Sequence, residues 1–283
     1  MLEDERQFPS EEQILGIYSQ IEETATGVIN SGNAIGNPLL AEGTPKDRRY
    51  AISVDSYVDP KSQIGTYLAA VTNEIAVADE GFTPNHPAEL HMTFSEIAHS
   101  DTARTEVVRS GADIAQYYKA LVENFPSLDN LRCRFVKIMP TPDAAPDPEH
   151  PERRPISIVA AFLPDDEELF RLRSYFSESL RSAGLPAGDF GIPRVFFITL
   201  GRFKENPKEN GQPFLEAIAR ANENQGEDLT FEMQDMEVIS TAARYVFSSG
   251  HLYLSPPIPF DKDKRTTGNP KFVRPIVRRN SIA

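Results

Sequence analysis

The chain has 283 residues, 40% of them hydrophobic and 25% charged, the balance of a soluble globular protein with room for one large domain or two small ones. A net charge of −13 argues against holding long duplex nucleic acid by counterion release, and no stretch nears the roughly 20 consecutive apolar residues of a membrane span. The acidic opening, Met1-Leu2-Glu3-Asp4-Glu5, predicts no secretory signal, and the single cysteine, Cys133, has no internal disulfide partner; both point to a reducing, cytoplasmic setting.

Ser10 with Gln13 three residues on reads as a capping box, opening a helix through Ile14, Ile17, Tyr18 and Ile21 at helical spacing. Residues 31–48, rich in Gly, Asn and Pro, read as a loop. Residues 50–58 alternate, with Tyr50, Ile52 and Val54 set against Ala51, Ser53 and Asp55, and predict a strand. A helix follows at 61–77, a strand at 89–95, a helix at 113–125 stopped by Pro126, and a strand at 131–139. A Pro- and Asp-rich connection at 140–155 separates this series from the next. The second series has a strand at 156–163, a helix from 164 to about 183 closed by Gly184, a strand at 195–200 and a helix at 212–221. Three last strands are expected at 229–233, 236–247 and 251–254, with Ser248-Ser249-Gly250 as a hairpin turn.

Strand, helix, strand, helix, strand fills residues 50–139 and fills 156–235 again, a duplicated unit of about 80–90 residues. An α+β fold of two similar lobes (49–139 and 156–260) follows, with antiparallel sheets around a central cleft. Residues 1–48 form an N-terminal helix and loop extension, and 261–283 a basic tail. That tail carries seven Lys or Arg and two Asp, and is expected to fold back on the acidic body or meet an acidic partner. Its end, Arg278-Arg279-Asn280-Ser281-Ile282, has the Arg-Arg-x-Ser-hydrophobic pattern of basophilic kinase substrates; a solvated basic terminus is the plainer reading.

The second strand of each unit holds the informative residues. His91 and Thr93 are two apart, so they share a strand face, and so do Phe197 and Thr199. Two histidines placed across a phosphodiester would supply a base for the nucleophile and an acid for the leaving oxygen. Two threonine hydroxyls would serve the non-bridging oxygens, without a metal. Leu90-His91-Met92-Thr93-Phe94 and Phe197-Ile198-Thr199-Leu200-Gly201-Arg202 resemble the paired His-x-Thr-hydrophobic signatures of the two-histidine (2H) phosphoesterase superfamily, which includes the LigT-like RNA 2′,3′-cyclic phosphodiesterases. The second signature commonly reads His-x-Thr-Leu-x-Arg, and this chain departs from it at Phe197. The opening strand at 49–55 and the long closing strands at 236–254 are similar too, so the resemblance covers about residues 49–260.

The resemblance implies a cyclic phosphodiesterase-like hydrolase needing no cofactor, with a small nucleotide or RNA-end phosphate as ligand. It implies His91, Thr93 and Thr199 as catalytic residues. Phe197, Arg202, His251 and Tyr253 are candidates for contacting the substrate. Phe197 in place of histidine leaves three readings: a pseudoenzyme that keeps the ligand, an altered enzyme in which His251, Tyr253 or Tyr245 substitutes, or a chance match with Phe197 in the core. Each residue also has a plainer role: His91 as a hydrogen-bonded structural histidine, the threonines as β-formers, Arg202 as the partner of a nearby carboxylate. His86, His99 and His150 read as loop residues, and Cys133 as buried. There is no His-Glu-x-x-His, Cys-x-x-Cys, EF-hand, P-loop, dinucleotide fingerprint or Gly-x-Ser-x-Gly, so neither a dedicated metal site nor a serine hydrolase is expected.

Overall fold

In the computed structural model, the described residues are 8–38, 40, 51–98, 114–124, 131–143, 150–186, 195–226, 228–233, 235–241, 251–255, 257–260 and 262–264. The expectations for the 248–250 turn, Tyr245, His99 and Ser281 lie outside them.

Helix α1 (Glu11–Asn30) begins at the expected capping box: the Gln13 amide donates to Ser10 Oγ at 3.3 Å and the Ser10 amide to Gln13 Oε1 at 2.8 Å. Its buried side chains, Ile14, Tyr18, Ala25 and Ile29, form one stripe. Within the expected loop lies a two-residue strand, β1 (Ala34–Ile35), parallel to β6 (Arg154–Pro164). Two residues carry no alternation to read; the Arg154 amide, which donates to Asn33 O at 3.1 Å, anchors them.

The remaining strands are β2 (Ala51–Tyr57), β3 (Phe82–Pro84), β4 (His91–Ala98), β5 (Leu131–Pro142), β7 (Phe197–Phe203), β8 (Thr230–Met233), β9 (Asp235–Thr241), β10 (His251–Leu254) and β11 (Ile258–Pro259). The helices are α2 (Gln63–Ala78), α3 (Ile114–Asn124), α4 (Glu168–Ser182) and α5 (Gln212–Glu223). Together they make an α+β fold around a curled antiparallel half-barrel.

The sheet runs β10-β9-β2-β4-β7-β6-β5-β8. The order is symmetric about the β4–β7 seam: β4 matches β7, β2 matches β6, β9 matches β5 and β10 matches β8. Each half of the chain lends strands to the other side of the sheet. β5, from the first half, pairs with β6 and β8, and β9, from the second half, pairs with β2. The repeat is therefore interlocked through the backbone.

One face of this sheet buries an aromatic layer against α2 and α5. Phe203 meets Phe82 and the α5 residue Phe214, with ring centroids 5.4 and 4.8 Å away, and Tyr67 of α2 meets Phe135 at 5.4 Å. On the other face α1 lies against β5 and β6, where Glu22 pairs with Lys137 and Glu11 with Arg134 at 2.8 Å.

Candidate functional site

The two signature strands are neighbours. β4 and β7 are antiparallel, and Met92 stands opposite Ile198. Both of those side chains are fully buried, on the aromatic-layer face. By strand alternation, His91, Thr93, Phe197 and Thr199 then share the opposite face, all partly buried, with His91 diagonal to Phe197 about the Met92–Ile198 pair. The two segments are thus related by a local two-fold about that pair.

A bulge extends it. Val159 stands opposite Thr199, but Ile158 stands opposite Gly201 and Ser157 opposite Arg202, so Leu200 is an extra residue in β7. Strict alternation would put Arg202 on the far face. The bulge returns it to the face of Thr199. There its Nε lies 3.5 Å from Asp143 Oδ2, a carboxylate that also accepts from Asn37 Nδ2 at 3.1 Å. Gly201 is required at the bulge: a Cβ there would lie 2.4 Å from the Phe82 ring and 2.5 Å from Thr83 O.

The first half-site has a built surround. His91 Nδ1 is 2.7 Å from the Glu89 carbonyl, which can only accept, so Nδ1 carries the proton and donates. Nε2 is left without that proton and lies 3.9 Å from Oδ2 of fully buried Asp55. Ser53 Oγ donates to the same Oδ2 at 2.9 Å, and the Tyr57 ring lies 5.6 Å from the imidazole. Glu237 of β9 stands opposite Asp55. Burial, then the negative charges of Asp235 and Asp55, push its carboxyl up to about 7. Burial, then the negative charges of Asp55, Glu237 and Glu89, push the Tyr57 phenol well above its usual range, so it remains a hydrogen-bonding O–H.

The second half-site is closed differently. The ring of Phe197 packs against that of Tyr18 in α1, with centroids 5.1 Å apart. The Tyr18 hydroxyl donates to Phe162 O at 2.6 Å and accepts from the Phe196 amide at 3.0 Å, standing in for a rung of the β6–β7 ladder. On the other edge of β7, Asn85 Nδ2 donates to Thr199 O at 2.8 Å. At the seam, Arg173 of α4 donates to Thr93 O and Val195 O. Its guanidinium is buried and lies 4.2 Å over the Phe196 ring; burial draws it down to about 10. Asp55, Glu237, Tyr18, Asn85 and Arg173 are thus parts of the site's surround that the motifs did not indicate. Tyr18 and Asp55 were visible in the sequence only as positions of a periodic helix and an alternating strand.

The other candidates fall elsewhere. In the β10–β9 ladder His251 is opposite Thr241 and Tyr253 opposite Ser240, at an outer edge of the sheet and separated from β4 by β9 and β2. His86 caps a short turn, its Nδ1 accepting from the Ala88 amide at 3.2 Å, and exposed His150 lies 3.3 Å from Glu152. Cys133 is buried, which pushes its thiol well above the usual range. Among the described residues no group of three or more His, Cys, Asp or Glu could hold a metal ion, and no helix is long and apolar enough to cross a membrane.

No protein-family model matches the chain, and no curated protein matches it. Among solved structures it is similar to ATU0111, a conserved protein of unknown function from Agrobacterium tumefaciens, at 11% identity over 79% of this chain and 94% of that one, with a TM-score of 0.52. It is more loosely similar to TT0787 of Thermus thermophilus (12% identity, 79% and 93% covered, TM-score 0.43) and to E. coli LigT complexed with 3′-AMP (11% identity, 80% and 94% covered, TM-score 0.35). The first likeness is one of fold.

Proposed function

We propose that the chain is a 2H phosphoesterase-like protein that binds a nucleotide or RNA-end phosphate on the face carrying His91, Thr93 and Thr199, with little or no turnover. The observation that carries this reading is the Met92–Ile198 pairing, which puts both half-signatures on one face about a local two-fold axis. In this reading the threonine hydroxyls donate to non-bridging phosphate oxygens. His91 Nε2 is the single imidazole of the site. Arg202 reaches an anion only by exchanging part of its contact with Asp143.

Hydrolysis of a 2′,3′-cyclic phosphate needs two proton transfers. As a base, His91 Nε2 takes a proton from water while the water oxygen bonds to phosphorus. The P–O bond to one ribose oxygen breaks, and that oxygen must gain a proton. The second half-site offers Phe197, which has none to give. Loss of one general acid or base costs about 10²–10⁴-fold in rate. The Tyr18–Phe197 contact favours the binding role over the enzymatic one, because an apolar wall stands where the second acid would work. A single buried cysteine suits a reducing, cytoplasmic setting for such a protein.

The test compares the wild type with His91→Ala and Phe197→His for binding and hydrolysis of adenosine 2′,3′-cyclic monophosphate. Micromolar to millimolar binding with negligible hydrolysis is expected for the wild type, and weaker binding for His91→Ala. Binding and hydrolysis both indifferent to His91 overturn the reading.

A further inference from the structure

The seam between the halves is a weak point in the sheet. β4 and β7 share a single residue pair among the described residues, Met92 with Ile198, whereas β2–β4 and β6–β7 each run over several. Beyond that pair β7 gives its edge to β3 on one side, and on the other the strands part. The parting leaves two backbone carbonyls, Thr93 O and Val195 O, aimed into the gap. A planar guanidinium fills it: Arg173 Nη2 is 3.2 Å from Thr93 O and 3.3 Å from Val195 O, and Nη1 is 3.2 Å from Val195 O.

From this geometry we infer that Arg173 is the positioning residue of the site: it replaces the missing rungs of the β4–β7 ladder and so sets the spacing between the Thr93 and Thr199 hydroxyls. The inference rests on the reading of these threonines as the phosphate cradle. Three features make Arg suited to the task. The fork is rigid, so both carbonyls are held in one plane. The ring of Phe196 underneath fixes the plane's tilt. And the side chain is only 3% exposed, so water cannot readily take its place. The residue comes from the second sequence unit and grips the first at the residue whose hydroxyl faces the ligand. A lysine can reach one carbonyl at a time and loses the plane; a methionine reaches neither.

The experiment is a double-mutant cycle read by affinity for adenosine 2′,3′-cyclic monophosphate, with amide hydrogen exchange on the same proteins. Arg173→Lys, which keeps the charge and is the milder change, is expected to weaken binding about fivefold to tenfold, the size of one ordinary net hydrogen bond. In the Thr93→Val background the same change is expected to weaken it by less than twofold, because Arg173 acts through Thr93. Equal losses in both backgrounds overturn the inference, since a general loss of stability acts alike on both. Exchange at residues 92–94 is expected to quicken in Arg173→Lys while α2 and α5 stay protected. Exchange that is unchanged at the seam, or quickened uniformly, overturns it as well. Should the wild type bind no cyclic nucleotide, the proposed function fails, and the exchange result alone decides whether Arg173 holds the seam.

Discussion

Burial and the carboxylates of Asp235 and Asp55 push Glu237 up to about 7, so between about pH 4.5 and 7 the folded chain holds a proton there that the unfolded chain releases. Stability therefore falls as pH rises through that window and levels off above it. Glu237→Gln is expected to flatten this fall and to melt higher than the wild type at pH 8, as thermal melts at pH 5 and pH 8 can show; an unchanged pH dependence contradicts it. At the bulge, Gly201→Ala sets a methyl 2.4 Å from the Phe82 ring and 2.5 Å from a carbonyl, and is expected to destabilise by about 1–3 kcal/mol in denaturant titration. A loss below about 0.5 kcal/mol would mean that Leu200 is not a bulge. At this scale the sequence disclosed residue types but few partners. Asp55 was legible as one polar step of an alternating strand. That it faces His91 and Glu237 depends on the β4–β2–β9 registers, which no local pattern specifies.

Among the elements, α1 shows how far local signals reach. The capping box and the helical spacing of Ile14 and Tyr18 announced its start and its buried face. Its docking against β5 and β6 was not announced, because it rests on a hydroxyl inserted between two strands more than 140 residues away. Tyr18→Phe keeps the ring against Phe197 but strands the Phe196 amide and Phe162 carbonyl. A loss of about 1–3 kcal/mol is expected, measured as a shift in denaturation midpoint without a change in slope. No shift would mean that water takes the hydroxyl's place. The Leu200 bulge was hidden for a similar reason: Thr-Leu-Gly-Arg reads as plain alternation, and the extra residue shows only against the β6 partner. Among the described residues the longer expected elements lie close to where periodicity put them, except that the helix expected from 164 starts at Glu168, because β6 runs on through Pro164.

In the whole molecule, the exchange of β5 and β9 ties the two sequence units together, so neither half of the sheet is made by one unit alone. One cooperative unfolding transition is expected, with circular dichroism and tyrosine fluorescence coincident; two separated transitions would show that the units fold independently. The duplication was legible because the series strand, helix, strand, helix, strand recurs. The exchange was not, because connectivity in sequence does not fix which strands become neighbours. The same interlock brings the β4 and β7 signatures to one face, and on that face rests the claim that this chain cradles a phosphate. Calorimetric titration of adenosine 2′,3′-cyclic monophosphate into the wild type, Thr93→Val and Thr199→Val tests it most directly. The account predicts binding by the wild type and a loss of about tenfold or more in each variant, with both folds intact. Equal affinity in all three proteins, or none in the wild type, would contradict it.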